Sequence, residues 1–154
     1  MSKFTINLLT QENAEIIADK WKYPGEYSFY DMTEDPEDYE EIVDPKQRKD
    51  NYFQVLMDGE LIGFFCLNWD DSKMELGLGM KPELCGRGNG NIFMREVEEY
   101  IRDKYSIKSV SLSVAEFNKR AIKLYENMGY VPCGKEEVAT NGGKYMFINM
   151  VKKF

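Results

Sequence analysis

The sequence predicts one mixed α/β domain in which a largely central sheet is flanked by helices. Three observations predict it. The 154 residues, 43% of them apolar, suit a single core. Short alternating segments interleave with segments of helical period, in the order β-α-α-β-β-β-α-β-α-β-β. No repeat or low-complexity tract interrupts that order.

Phe4, Ile6 and Leu8 alternate with polar residues as in a half-buried strand, and Thr10 offers a side-chain oxygen to cap the next helix. Ala14, Ile17, Ala18 and Trp21 make that helix amphipathic, and Tyr23-Pro24-Gly25 stops it, because the residue before proline disfavours helical angles. A second, short helix can start at Pro36. Tyr52 to Met57 and Glu60 to Asn68 are rich in strand formers and flank Asp58-Gly59, a pair suited to a tight hairpin. After a polar turn at Asp70-Asp71-Ser72, a strand runs from Met74 to Met80 and leads through Pro82 into Cys85-Gly86-Arg87-Gly88-Asn89-Gly90. Ile92, Phe93, Val97, Tyr100 and Ile101 recur at helical spacing to about Lys104. Val110, Leu112 and Val114 form the next strand. Asn118 caps a helix carrying Ala121, Ile122, Tyr125 and Met128, closed by Gly129. Tyr130 to Glu137 and Tyr145 to Val151 make the final pair around the turn residues Thr140-Asn141-Gly142-Gly143.

Composition removes several kinds of chemistry. With no histidine, a Ser-His-Asp triad, a Cys-His dyad and any His-ligated metal are excluded, so acid-base work falls to Glu, Asp, Tyr, Lys or water. Cys66, Cys85 and Cys133 are odd in number and widely spaced, which argues against a disulfide framework or metal cluster and fits a reducing compartment. The opening residues lack the apolar run of a signal peptide, and no stretch approaches the roughly 20 residues that span a bilayer, so a cytoplasmic protein with no membrane partner is expected. A net charge of −7 argues against a nucleic-acid partner and favours cationic ones. The densest charge run, Asp31 to Asp44, holds eight acids in fourteen positions without a Lys or Arg. It reads either as a solvated face or as a field that attracts a cationic substrate.

Glycines 86, 88 and 90 let the backbone approach a bound group, and the following helix directs its N–H groups and positive dipole end to the same place. An anion belongs there, the pyrophosphate of a nucleotide-containing cofactor being the natural candidate, although such turns also occur simply as strand-to-helix connections. The segment is not the dinucleotide G-x-G-x-x-G, since position 91 is Asn91, and no P-loop string occurs anywhere in the chain.

Cys85-x-x-Gly88-x-Gly90, opening a helix after a strand, resembles the Q/R-x-x-G-x-G/A motif with which the GNAT superfamily of N-acetyltransferases holds coenzyme A. The segment Asn118 to Tyr130 is similar to that family's N-x-x-A-x-x-x-Y-x-x-x-G-[FY] signature. The match runs from about Tyr52 to Val151, while the first fifty residues follow only the order of elements. The resemblance implies a single-domain fold with a mixed, mostly antiparallel sheet, divided into an acceptor-side segment, 1–50, and an acetyl-coenzyme-A-binding core, 51–154. It departs from the family at Cys85, where Arg or Gln is usual. Cys85 is read as a packing residue and given no catalytic role.

The implied activity is transfer of an acetyl group from acetyl coenzyme A, with no metal, to a primary amine of a small molecule or peptide attacking directly in a ternary complex. By the same resemblance the Leu78 N–H meets the acetyl oxygen, Met80 backbone groups pair with the pantetheine arm, and Gly77 and Gly79 ease that approach. Tyr125 gives a proton to the departing thiolate. Because an alkylammonium is mostly protonated at neutral pH, a base or water chain is also required, and Glu75 is the candidate, with Asp70 and Asp71 as weaker substitutes. Asn118 caps its helix and can also bond the pantetheine arm. Of Arg87, Lys119 and Arg120, only Arg87 lies in the turn and is assigned to phosphate. Cofactor contacts are thus expected from Leu78, Met80, Cys85, Gly86, Arg87, Gly88, Asn89, Gly90, Asn118 and Tyr125. A monomer or homodimer is expected, and the alternative function is a noncatalytic coenzyme A sensor or interaction module.

Overall fold

The computed structural model describes residues 3–70, with the Asp70 side chain excepted, and 73–154. The turn at Asp71-Ser72 therefore lies outside the described residues. Seven strands form one sheet in the order β1-β2-β3-β4-β5-β7-β6, mixed and mostly antiparallel with flanking helices, as the sequence predicts. The strands are β1 (Phe4–Leu8), β2 (Tyr52–Met57), β3 (Glu60–Asp70), β4 (Lys73–Met80), β5 (Ser109–Ala115), β6 (Val131–Thr140) and β7 (Gly143–Lys153). The helices are α1 (Gln11–Lys20), α2 (Pro36–Val43), α3 (Pro45–Arg48), α4 (Gly90–Lys104) and α5 (Lys119–Asn127). Helix α3 is additional to the expected order. Asp44, ending α2, accepts the Lys46 N–H at 2.9 Å and restarts the helix at Pro45. Among the described residues no helix is long and apolar enough to cross a membrane.

The chain forms two compact units, one holding Met1–Cys66 and Leu78–Leu84, the other Leu67–Gly77 and Cys85–Phe154. In the first, α1 buries Ala14, Ile17 and Ala18, and with Trp21 they join Ile42, Tyr52 and Phe64 in one apolar cluster. Thr10 caps α1 by accepting the Asn13 N–H at 3.2 Å. Gln54 is buried within β2, satisfied by a bond to Asn7 Oδ1 at 2.7 Å and by accepting from Asn13 Nδ2 at 2.8 Å. The Asp58-Gly59 hairpin forms as expected, with both residues at positive φ, 51° and 85°. A register shift in the β2–β3 ladder leaves Ile62 without a β2 counterpart, and its carbonyl instead accepts the Lys81 N–H at 2.8 Å.

In the second unit, α4 turns Phe93, Met94, Val97, Glu98 and Ile101 inward, while Ile92 stays 47% exposed. The expected face placed Ile92 inside and ignored Glu98. Val110, Leu112, Val114 and Ala115 of β5 are buried, as is Met150 of β7. Strands β6 and β7 continue beyond Glu137 and begin before Tyr145, meeting in a two-residue turn with Asn141 and Gly142 at φ 52° and 79°. That turn needs only two residues, so the rest of the expected loop joins the ladder.

Candidate functional site

The turn expected to hold an anion lies in the second unit, between a short 3₁₀ segment at Pro82–Leu84 and the first residue of α4. Its three glycines are there for three different reasons. Gly88 has φ +80° and nothing within 4 Å of the place a β-carbon would take, so the backbone angle alone selects glycine. Gly86 has φ +74°, and Arg120 Nη1 lies 2.8 Å from where its β-carbon would stand. Gly90 begins α4, and Leu124 Cδ2 lies 2.9 Å from its β-carbon position, so glycine lets α5 approach closely.

The N-terminus of α4 differs from those of the other α-helices among the described residues. Side chains cap α1 through Thr10, α2 through Asp35, α3 through Asp44 and α5 through Asn118, but Asn89 makes no side-chain cap bond to α4. No acid occupies its first turn. A helix start with neither a side-chain cap nor a first-turn carboxylate, following a glycine turn, is chemically suited to an anion. Arg87 is exposed on the turn, and Cys85 is half-buried.

Helix α5 carries the second expected group. Asn118 Oδ1 accepts the Ala121 N–H at 3.1 Å, so its capping role is seen directly. Tyr125 lies seven residues on, two turns along the helix, and is buried at 9% exposure. Its ring meets Tyr130 edge to face at 6.0 Å. Behind them Glu98 is held by Lys152 Nζ at 2.8 Å. Burial pushes the Tyr130 phenol up, and the Glu98 carboxylate, then Tyr125, push it further. Tyr130 Oη and Glu98 Oε2 are both buried without a hydrogen-bond partner of ordinary geometry among the described residues.

Glu75 is exposed on β4, on the face opposite Met74 and Leu76, which are buried. It stands opposite Ser111, the second pair of a parallel β4–β5 ladder that begins at Met74–Val110. Asp70's side chain and Asp71 lie outside the described residues, so those substitutes have no structural placement.

Leu78 and Met80 belong to the first unit and are half-buried on β4. The Met80 carbonyl accepts the Tyr23 hydroxyl at 2.8 Å. Phe64 Cε1 lies 2.5 Å from the β-carbon position of Gly79, which gives that glycine a packing reason of its own. In the acidic run of the same unit, Asp35 and Asp44 are helix caps and Asp31 is buried, accepting the Tyr23 N–H at 2.8 Å. Glu34, Glu37, Asp38 and Glu40 remain exposed.

Sequence reasoning leaves aside three neighbours of these groups. Arg120 is indistinguishable there from an ordinary surface cation, although its place two residues after the Asn118 cap is a usable signal. Tyr130 figures only as the end of a motif. Glu98 gives no signal, because its partner Lys152 is 54 residues away.

Comparison with known proteins finds acetyltransferases. The chain is 33% identical over 76 residues to the acetyltransferase PseH of Campylobacter jejuni subsp. jejuni serotype O:23/36 (strain 81-176), a match covering 49% of this chain and 47% of that protein. The match thus spans about half the length of this curated relative. Among solved structures, a chimera of the spermidine N-acetyltransferase SpeG from Vibrio cholerae and hSSAT superposes with a TM-score of 0.72 at 22% identity, covering 97% of this chain and 95% of the other. The aminoglycoside acetyltransferase AAC(6')-Ib in complex with ribostamycin and coenzyme A superposes with a TM-score of 0.72 at 18% identity, covering 97% and 93%. A GNAT-family acetyltransferase from Streptococcus pneumoniae gives 0.70 at 17% identity, covering 99% of each chain. A family-level sequence model described as the acetyltransferase (GNAT) family matches residues 13–130, which includes the glycine turn, α4 and all of α5, and the chain belongs to that family.

Proposed function

We propose that the chain is an acetyl-coenzyme-A-dependent N-acetyltransferase that acetylates a primary amine of a cationic small molecule or peptide by direct attack in a ternary complex. One observation carries this reading beyond family membership: α4 alone among the described α-helices starts without a side-chain cap, directly after a turn that two positive-φ glycines hold open. Main-chain amides of residues 85–90 and the α4 dipole suit a diphosphate. No metal is needed for this chemistry.

Acetyl coenzyme A supplies an activated thioester. The roles assigned to the chain's own residues are those that the family resemblance implies. Asn118, beyond its cap bond, and the Met80 backbone orient the pantetheine arm. The Leu78 N–H is assigned to the carbonyl oxygen, where negative charge gathers during attack. Glu75, solvent-exposed and three residues earlier on β4, takes the proton from the incoming ammonium directly or through water. Tyr125, a largely buried residue, holds the proton that the leaving thiolate requires.

The exposed acids of the 31–44 run support a cationic acceptor through their long-range field. Two structures sharing the fold, one of a spermidine acetyltransferase chimera and one holding ribostamycin, agree in kind. The test is acetyl coenzyme A offered with a panel of polyamines, aminoglycosides and basic peptides, following thiol release. Turnover with at least one cationic amine, weakened by salt and by neutralising Glu34, Glu37 and Glu40, is expected. Stabilisation by coenzyme A with no thiol release across the panel would instead identify a noncatalytic binding module.

A further inference from the structure

We propose that the Arg120 guanidinium supplies the side-chain charge at the 85–90 turn and pairs with the diphosphate of coenzyme A, an assignment that rests on the reading of that turn as the diphosphate site. The guanidinium lies against the turn's backbone. Arg120 Nη1, Cζ and Cδ stand 2.8, 3.7 and 3.9 Å from the position a β-carbon would take on Gly86. Any side chain at residue 86 would displace it, so Gly86 answers to two constraints together, its φ of +74° and the arginine above it.

The charge pattern gives a separate reason. Helices α1 and α2 place acids in their first turns, Glu12 in one and Glu37 with Asp38 in the other, as the helix dipole favours. Helix α5 has no acid there and instead begins Lys119-Arg120, two cations at the positive end of the dipole. That arrangement gathers positive charge at the start of α5. Arg87 adds a further cation within the turn itself, although the chain as a whole carries a net charge of −7. The first residue of the turn, Cys85, contributes no charge, which leaves Arg87 and Arg120 as the cations at the turn. A guanidinium fits this use because its planar fork of donors matches two phosphate oxygens at once.

Calorimetric titration of wild type, Arg120→Gln and Arg120→Lys with coenzyme A and with 3′-dephospho-coenzyme A tests the assignment. The dephospho compound keeps the diphosphate and lacks the other phosphate. The glutamine variant should bind both about tenfold more weakly, the loss of one charge-assisted contact, with a shallower salt dependence. Its melting temperature without ligand should stay near that of wild type, since the side chain is exposed. Lysine should restore part of the affinity, keeping the charge without the fork. Equal binding by wild type and the glutamine variant would overturn the assignment while leaving the turn's role intact. A loss seen with coenzyme A but absent with the dephospho compound would move Arg120 to the 3′-phosphate and overturn it as stated. A wild type that binds neither compound would remove the parent reading and this inference together.

Discussion

Tyr125 and Tyr130 are locked to each other twice, by an edge-to-face ring contact at 6.0 Å and 61° and by a main-chain bond from the Tyr130 N–H to the Tyr125 carbonyl at 2.9 Å. The backbone bond closes the C-terminal end of α5, where Gly129 takes φ +99° as a helix-ending glycine. The ring contact then fixes the direction of the Tyr125 phenol against a residue that is itself fully buried.

This rigidity makes Tyr125→Phe a clean test of the acid role. The ring contact and the helix end survive the substitution, so coenzyme A affinity and melting temperature should stay near wild type. Turnover should fall by about a hundredfold or more, the usual contribution of a positioned proton donor. Any decline of kcat on the alkaline side that belongs to this phenol should disappear in the variant. Unchanged kcat across the pH range would show that water or another group protonates the thiolate.

Gly90 and Leu124 predict a packing effect separable from cofactor binding. A β-carbon at residue 90 would meet Leu124 Cδ2 at 2.9 Å, well inside ordinary contact. Gly90→Ala should therefore cost about 1–2 kcal/mol in urea unfolding, an overpacking penalty of ~1–3 kcal/mol partly offset by the better helix propensity of alanine, at most ~1 kcal/mol. Adding Leu124→Ala opens space for the new methyl, and the double variant should be more stable than the sum of the two single losses. Simple additivity would show that the Gly90→Ala loss does not come from contact with Leu124.

The parts of this structure legible in the sequence are those fixed by chemistry within a few residues. Asp58-Gly59 forms its hairpin, and Thr10 and Asn118 cap their helices, because turns and caps are local arrangements between a side chain and its neighbouring amides. The glycine turn is legible for the same reason. The acidic run is readable as charge, but not as Asp35 and Asp44 capping α2 and α3, since caps are only distinguishable once helix starts are known. Glu98 is beyond reach: a search for apolar periodicity passes over a carboxylate, and what permits its burial is a lysine on β7. Arg120 is visible as a residue but not as a neighbour of Gly86, because that contact joins a turn and a helix more than thirty positions apart. Glu75, Leu78 and Met80 take their proposed roles from the family resemblance, and substitution has to test them.

The Lys152–Glu98 pair carries a stability prediction. Glu98 is 8% exposed at its side chain and Lys152 22%, with Nζ to Oε1 at 2.8 Å. Lys152→Met keeps the apolar stem that packs on Gly129, whose β-carbon position lies 3.5 Å from Lys152 Cε, but leaves a buried carboxylate without its cation. A loss of about 3 kcal/mol is expected, the lower end of the range for breaking a buried pair because Lys152 retains some solvent contact. Replacing both residues, Lys152→Met with Glu98→Gln, should recover much of it. If the double variant is no more stable than Lys152→Met alone, the stranded charge is not the cause.

Asp38 sets a pH dependence whose sign follows from its surroundings. Loss of hydration, then Asp35 and Glu41, raise its carboxyl from 3.8 to about 6. The folded protein therefore holds this proton more tightly than the unfolded chain, and between about pH 4 and 6 the native state carries the larger share of it. Stability from this group is present at low pH and falls as pH rises through 6, the reverse of a salt-bridged carboxylate. Asp38→Asn removes the ionisation, so its advantage over wild type should grow from pH 4 to 7 and then level off. Because Asp38 is exposed to solvent, screening should hold the gain below about 1 kcal/mol, and added salt should shrink it. Urea unfolding of both proteins across that range measures the difference. An advantage that is flat with pH, or that declines as pH rises, would show that the neighbouring carboxylates do not crowd this site.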